Sequence, residues 1–192
     1  MIKALYSDKQ LVIDILSEAF DANKSVNFVI NKKGDRYEHI RQLMDYAFET
    51  TFLFGNVYLS EDRKGCALVL YPDKKRTTIK SMYLDLKLAF QCIGIKRINE
   101  ILKRETFIKK NHPKEPIVYL WFIGVKQNFR KQGIGGKLLA EIIIESDEQK
   151  RPIYLETSTF VNIPWYAGFG LTVFNKLDLG YKLFLIKRDY IR

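Results

Sequence analysis

The chain has 192 residues, 47% of them hydrophobic, which suits one domain spanning 1–192 with a sizeable core. No apolar run reaches the roughly 18 residues a membrane span needs, the N-terminus lacks a signal-peptide pattern, and two distant cysteines with two histidines offer neither a disulfide framework nor a metal-ligand cluster. The net charge of +10 is concentrated between Lys74 and Lys110, where eleven Lys/Arg accompany only Asp85, Glu100 and Glu105; a solvated helix face explains this better than a nucleic-acid partner does.

The first predicted element is a short strand, Ile2 to Tyr6, followed by a helix with Asp8 as its N-cap and Leu11, Val12, Ile15, Leu16 and Phe20 at helical spacing. The stretch "RYEHIRQLMDYAFETTFLF" places Ile40, Leu43, Met44, Ala47 and Phe48 on one face of a second helix. Two strands joined by a polar turn ending at Gly65 follow in "NVYLSEDRKGCALVLY". Thr77 to Lys110 is helical in pattern with a break near Gly94, and two prolines make "NHPKEP" a turn or linker. An apolar strand then runs from Ile117 to Val125, leading through a glycine-rich loop into a helix that ends near Ser146. The remainder reads as a strand in "RPIYLETSTF", a short helix or turn in "IPWYAGFG" and a closing hairpin in "LTVFNKLDLGYKLFLIKRD". Cys66 and Cys92 read as reduced, partly buried thiols of a cytoplasmic protein.

The loop holds Gly133, Gly135 and Gly136 in the first turn of a helix whose Leu138, Leu139, Ile142 and Ile143 face a core. Arg130, Lys131 and Lys137 crowd the same end, although a helix N-terminus favours acidic groups. An anion held there reverses the sign of that cost, and glycine leaves backbone N–H groups uncovered for it. Local chemistry therefore favours phosphate binding over a bare connecting turn. A P-loop fails because Lys131 stands at its first glycine position and Leu138 at its hydroxyl position. A dinucleotide fingerprint starting at Gly133 fails because Leu138 again replaces glycine. The pattern that fits is Arg-x-x-Gly-x-Gly, from Arg130 to Gly135.

With "FIGVKQNFRKQGIGGKLL" the chain resembles the GNAT superfamily of N-acetyltransferases, which carries [Gln/Arg]-x-x-Gly-x-[Gly/Ala] between a central strand and a helix. A second stretch, "YLETSTFVNIPWYAGFGL", is similar to a later segment of that superfamily, and Asn162, Pro164 and Tyr166 bring it closest to the puromycin acetyltransferase-like branch. The usual Gly-Phe pair is replaced by Gly170-Leu171, a change that concerns packing. The resemblance is strong from about Pro113 to Arg188; before that it extends only to the order of elements. It implies an α+β fold: a mixed, mainly antiparallel sheet flanked by helices, in which two parallel central strands, about Ile117–Val125 and Ile153–Ser158, splay apart. It implies acetyl-CoA as cofactor, its pyrophosphate held by the backbone around Arg130, Lys131, Gly133, Gly135, Gly136 and Lys137. It also implies pantetheine pairing with Ile123 and Val125, and a side-chain contact from Asn162, for which a helix cap before Pro164 is the compatible structural role.

The implied activity is direct transfer of an acetyl group to an amine, which requires no covalent nucleophile. Tyr166 is the expected general acid and the Val125 N–H the expected oxyanion donor. Glu156 is the candidate general base, with a structural carboxylate an equal reading. Tyr119 and Trp121 alternate with Ile123 and are expected to share its face, as walls of an acceptor pocket or as core. The acceptor is a small-molecule or peptide amine, and the protein a monomer or homodimer. Transfer of another acyl group, or to a hydroxyl, is the enzymatic alternative. A non-catalytic acyl-CoA sensor, or a nucleic-acid-binding module using residues 74–110, is the alternative from another class.

Overall fold

The computed structural model describes residues 1–191. Seven strands form one sheet: β1 (Ile2–Lys3), β2 (Gly55–Leu59), β3 (Gly65–Leu70), β4 (Val118–Val125), β5 (Ile153–Thr157), β6 (Thr172–Asp178) and β7 (Lys182–Arg188). Their spatial order is β1-β2-β3-β4-β5-β7-β6. Every pair is antiparallel except β4 with β5, so the expected mixed α+β architecture is the one observed. The seven helices are α1 (Lys9–Ala19), α2 (Lys24–Val29), α3 (Arg36–Phe54), α4 (Ile79–Lys87), α5 (Ile98–Lys109), α6 (Ile134–Glu148) and α7 (Ile163–Ala167).

Two apolar layers sandwich the sheet. On one face Val12, Ile15 and Leu16 of α1 and Ile40, Met44 and Phe48 of α3 pack on Val57, Leu59, Cys66, Leu68 and Phe122. On the other, Leu139 and Ile142 of α6 and Tyr166 of α7 pack on Ala67, Val69, Val118, Leu120, Ile153 and Leu155. The helical periodicities read from the sequence mark these buried stripes, and each fully buried Leu or Ile contributes about 1.5–3 kcal/mol. Gly124 lets α1 lie directly on β4, because a Cβ there would sit 3.0 Å from both Ala19 Cβ and Leu16 Cδ2.

Several local expectations are corrected. The first strand is only Ile2–Lys3. Asp8 stands at the N-cap position of α1 as expected, but its side chain makes no capping bond to that helix; its carboxylate instead accepts from the Leu5 N–H at 2.8 Å and pairs with Arg63, closing a single turn over Tyr6–Asp8. The short helix α2 was not anticipated; Asn23 caps it by accepting from the Val26 N–H. The helical 77–110 region does break at Gly94, where φ is +82°, after a π-helical turn over Leu88–Ile93.

The basic residues of that region do not present one continuous face. Lys80 pairs with Glu49 and Lys87 with Asp45. Arg97 donates to the backbone carbonyls of Phe28 and Ile30. Arg104 is 9% exposed and donates to Tyr181 Oη at 2.8 Å and Ser25 Oγ at 2.5 Å. Nothing in this arrangement favours a nucleic-acid surface over the solvated-face reading.

Candidate active site

The pairing of β4 with β5 covers only Val118↔Ile153 and Tyr119↔Tyr154. Beyond that point β4 stays with β3 and β5 stays with β7, so the two parallel strands diverge. Antiparallel ladders alternate between residues that turn their N–H and C=O to the partner and residues that turn them away. The Lys126 N–H donates to the Lys64 carbonyl at 2.9 Å, which sets the phase. Counting back, Gly124 and Phe122 bond to β3, whereas Val125 and Ile123 direct their backbone polar groups to the opposite edge, into the gap left by β5. The Val125 carbonyl receives only a long 3.5 Å contact from Arg130 Nε.

The register of β4 against β3 slips between Leu68 and Val69: Leu68 faces Phe122 while Val69 faces Leu120, leaving Trp121 as the extra residue of a bulge. The bulge reverses the alternation. Tyr119 and Trp121 lie on the α1/α3 face, Trp121 with its ring 6.1 Å from Tyr46, while Ile123 packs on the α6 face. The expectation that Tyr119 and Trp121 share the face of Ile123 is therefore wrong. Period-two counting fails across an inserted residue.

At the end of β4 the chain turns through Lys131, with φ +63°, and Gly133, with φ +82°, into α6. Gly133 occupies the N-cap position in the left-handed region, and no side chain caps the first turn of α6. A Cβ at Gly133 would meet nothing within 4 Å. Gly135 lies where a Cβ would approach Val125 Cγ2 at 3.5 Å and Trp165 Cζ2 at 3.8 Å, and Gly136 abuts Phe169. The uncapped N–H groups, the positive helix end and the open space at Gly133 suit a phosphate. Arg130 and Lys131 are exposed beside this turn. Lys137 points away from it in this structure, to Glu61 at 3.0 Å.

Tyr166 of α7 is 6% exposed and packs against Trp165 in the α6-side core. Its hydroxyl bonds to none of the described residues and is not sealed from solvent. Burial pushes its phenol above the ordinary value, so it is protonated at neutral pH. Asn162 stands at the N-cap position of α7, but its side chain makes no capping bond and is exposed. The structural cap role is thus not exercised. Leu171 is buried at 1% exposure in the α6-side core, in keeping with a packing role for the Gly170-Leu171 pair.

Glu156 lies on the opposite, α5-side face of the sheet. Its carboxylate is 10% exposed; one oxygen is 2.6 Å from His112 Nε2 and the other accepts from Tyr119 Oη at 2.5 Å. Burial first, then the negative charge of Glu156, hold the Tyr119 phenol well above its ordinary value. His112 was not identified as a site residue from the sequence. It falls in the Pro-bearing linker, and only its contact with a residue 44 positions away reveals it. Arg104, joined to Ser25 and Tyr181, is a second buried group with no local sequence signal.

The structure brings the glycine turn, Ile123, Val125 and Tyr166 to the α6 side of the strand gap and Glu156 to the other. Residues 36–170 match the model of the "Acetyltransferase (GNAT) family". Among solved structures, a histone acetyltransferase HPA2 and related acetyltransferase from Corynebacterium glutamicum superposes with a TM-score of 0.70 at 20% identity, covering 100% of this chain and 96% of that one. Arylalkylamine N-acetyltransferase 2 of Aedes aegypti gives 0.63 at 17% identity, covering 99% and 98%. An N-acetyltransferase of Staphylococcus aureus Mu50 gives 0.60 at 15%, covering 96% and 97%. A curated relative, a probable serine/threonine-protein kinase of Dictyostelium discoideum, is 24% identical over 190 residues, and the match takes in 87% of this chain but only 20% of that protein. These likenesses at low identity establish the fold, and the match over residues 36–170 establishes that the chain belongs to the acetyltransferase (GNAT) family.

Proposed function

We propose that this chain, acting over 1–192 as one domain, transfers an acetyl group from acetyl-CoA directly to the amine of a small molecule or peptide. The observation that carries this reading is the backbone of Ile123 and Val125, unpaired along the strand gap and leading directly into the uncapped N-terminus of α6. Bound acetyl-CoA would supply the thioester. Gly133, Gly135 and Gly136 would hold its pyrophosphate through their N–H groups, with Arg130, Lys131 and Lys137 adding charge. Ile123 and Val125 would hold the pantetheine arm as an added strand, and Asn162, free of capping duty, would contact the same arm.

Tyr166 keeps its proton on Oη at neutral pH and would give it to the departing sulfur, regaining one from the second proton that the acylated nitrogen loses. The Val125 N–H stabilises negative charge developing on the carbonyl oxygen. Glu156 takes the proton from the incoming ammonium, directly or through water. Asn162, Pro164 and Tyr166 together support placement in the puromycin acetyltransferase-like branch. We read the protein as cytoplasmic, and as a monomer or homodimer. Among the described residues no helix is long and apolar enough to cross a membrane.

The test is a panel of primary amines and peptides assayed for acetyl-CoA-dependent thiol release, with each product identified by mass. Transfer to at least one amine, lost in Tyr166→Phe, supports the reading. Acetyl-CoA binding without transfer to any amine or hydroxyl in the panel would reject it in favour of a sensor.

A further inference from the structure

Glu156 is held from two sides. Tyr119 Oη donates to one carboxylate oxygen at 2.5 Å and His112 Nε2 lies 2.6 Å from the other. The imidazole is 14% exposed and packs against the rings of Tyr119 and Tyr154, with centroids 5.2 and 6.1 Å away. Tyr119 is an obligate donor while its phenol is protonated, and the carboxylate accepts on both oxygens, so the neutral imidazole carries its proton on Nε2. The second ring nitrogen, Nδ1, has no partner among the described residues and is not sealed from solvent.

We propose that His112 is the positioning residue for Glu156, holding the carboxylate that accepts the proton of the incoming ammonium. This rests on the acetyl-transfer reading above. The Nε2–H fixes one carboxylate oxygen while Tyr119 fixes the other, so the group is held in one orientation. Glu156 then takes one proton from the ammonium nitrogen and returns it to water after turnover.

The surrounding charges do not replace this pairing. Arg104 and Glu105 from α5 act on Tyr119 with opposite signs. Glu115 of the preceding loop, Lys187 of β7 and Asp189 act on Tyr154, again with mixed signs. Among the described residues, His112 and Tyr119 are the side chains that bond the Glu156 carboxylate.

Two measurements test the proposal. The chain has two histidines, so NMR gives two sets of imidazole signals, with His39 as the internal control. The His112 Nε2–H signal should move in Glu156→Gln, while that of His39 is unmoved. An unchanged His112 signal overturns the proposal, whether or not any acceptor amine is known. With an acceptor in hand, kcat and KM are then compared. His112→Gln keeps an N–H donor, so it should retain kcat. His112→Phe, which removes the donor, should lower kcat by about 10-fold or more, with acetyl-CoA affinity unchanged. A kcat in His112→Phe equal to that of the unmodified protein also overturns the proposal. Absence of transfer by the unmodified protein, with histidine coupling intact, rejects the acetyltransferase reading instead.

Discussion

Leu120 and Phe122 lie two residues apart on one strand and yet on opposite faces of the sheet: Leu120 packs beneath α6, Phe122 beneath α1 and α3. The Trp121 bulge between them makes this possible. It also turns the indole toward Tyr46 while Ile123, two residues further, faces the glycine turn side. One inserted residue thus divides β4 into a half that lines the Glu156 side and a half whose backbone borders the proposed cofactor cleft.

Gly135→Glu should abolish coenzyme A binding. The new side chain would grow from the first turn of α6 toward Val125 and Trp165, adding bulk and negative charge at the proposed phosphate site. Calorimetry on the folded variant checks this; affinity equal to that of the unmodified protein would place the pyrophosphate elsewhere.

Tyr166→Phe keeps the ring in its core contacts and removes a hydroxyl that bonds to no described residue. If that hydroxyl protonates the leaving sulfur, kcat should fall by about 10²–10⁴-fold with acetyl-CoA affinity little changed. A variant that instead loses thermal stability while turning over at the normal rate would show a packing residue.

Gly124→Val should destabilise the fold. Its Cβ would lie 3.0 Å from Ala19 Cβ and Leu16 Cδ2, so α1 must move off β4. Overpacking of this kind typically costs about 1–3 kcal/mol. Urea unfolding measures it; an unchanged midpoint would mean that the α1–β4 contact is looser than its geometry indicates.

Glu49 predicts an acid-sensitive contribution to stability. Burial disfavours its charged form, but hydrogen bonds from Lys80, Lys9 and Tyr6 outweigh that and depress its carboxyl to about 2. A folded-state value below the unfolded one stabilises the protein at pH above the unfolded value, about 4.3, and the gain is lost as pH falls toward 2. The stability gap between the unmodified protein and Glu49→Gln should reach on the order of 2–3 kcal/mol at neutral pH and narrow steadily between about pH 5 and pH 2. A gap independent of pH across that window would contradict the ion-pair account.

What the sequence by itself determined was what is local in the chain. The buried stripes of α1, α3 and α6 follow from helical spacing, because residues three and four apart share a face whatever surrounds them. The Arg130–Gly136 turn and the Asn162–Tyr166 stretch were legible because a strand end, an uncapped helix start and the residues between them are contiguous. The tertiary structure decided everything that depends on register or on contact between distant segments. The Trp121 bulge exists only relative to β3, so no count along β4 alone could find it. The backbone phase of Ile123 and Val125 follows from the Lys64–Lys126 bond across the antiparallel β3–β4 pair. His112 meets Glu156 because α5 and its linker cross the sheet to bring a proline-flanked loop beside β5. A carboxylate's chemistry is set by what touches it, and those neighbours are chosen by folding in three dimensions rather than by position in the chain.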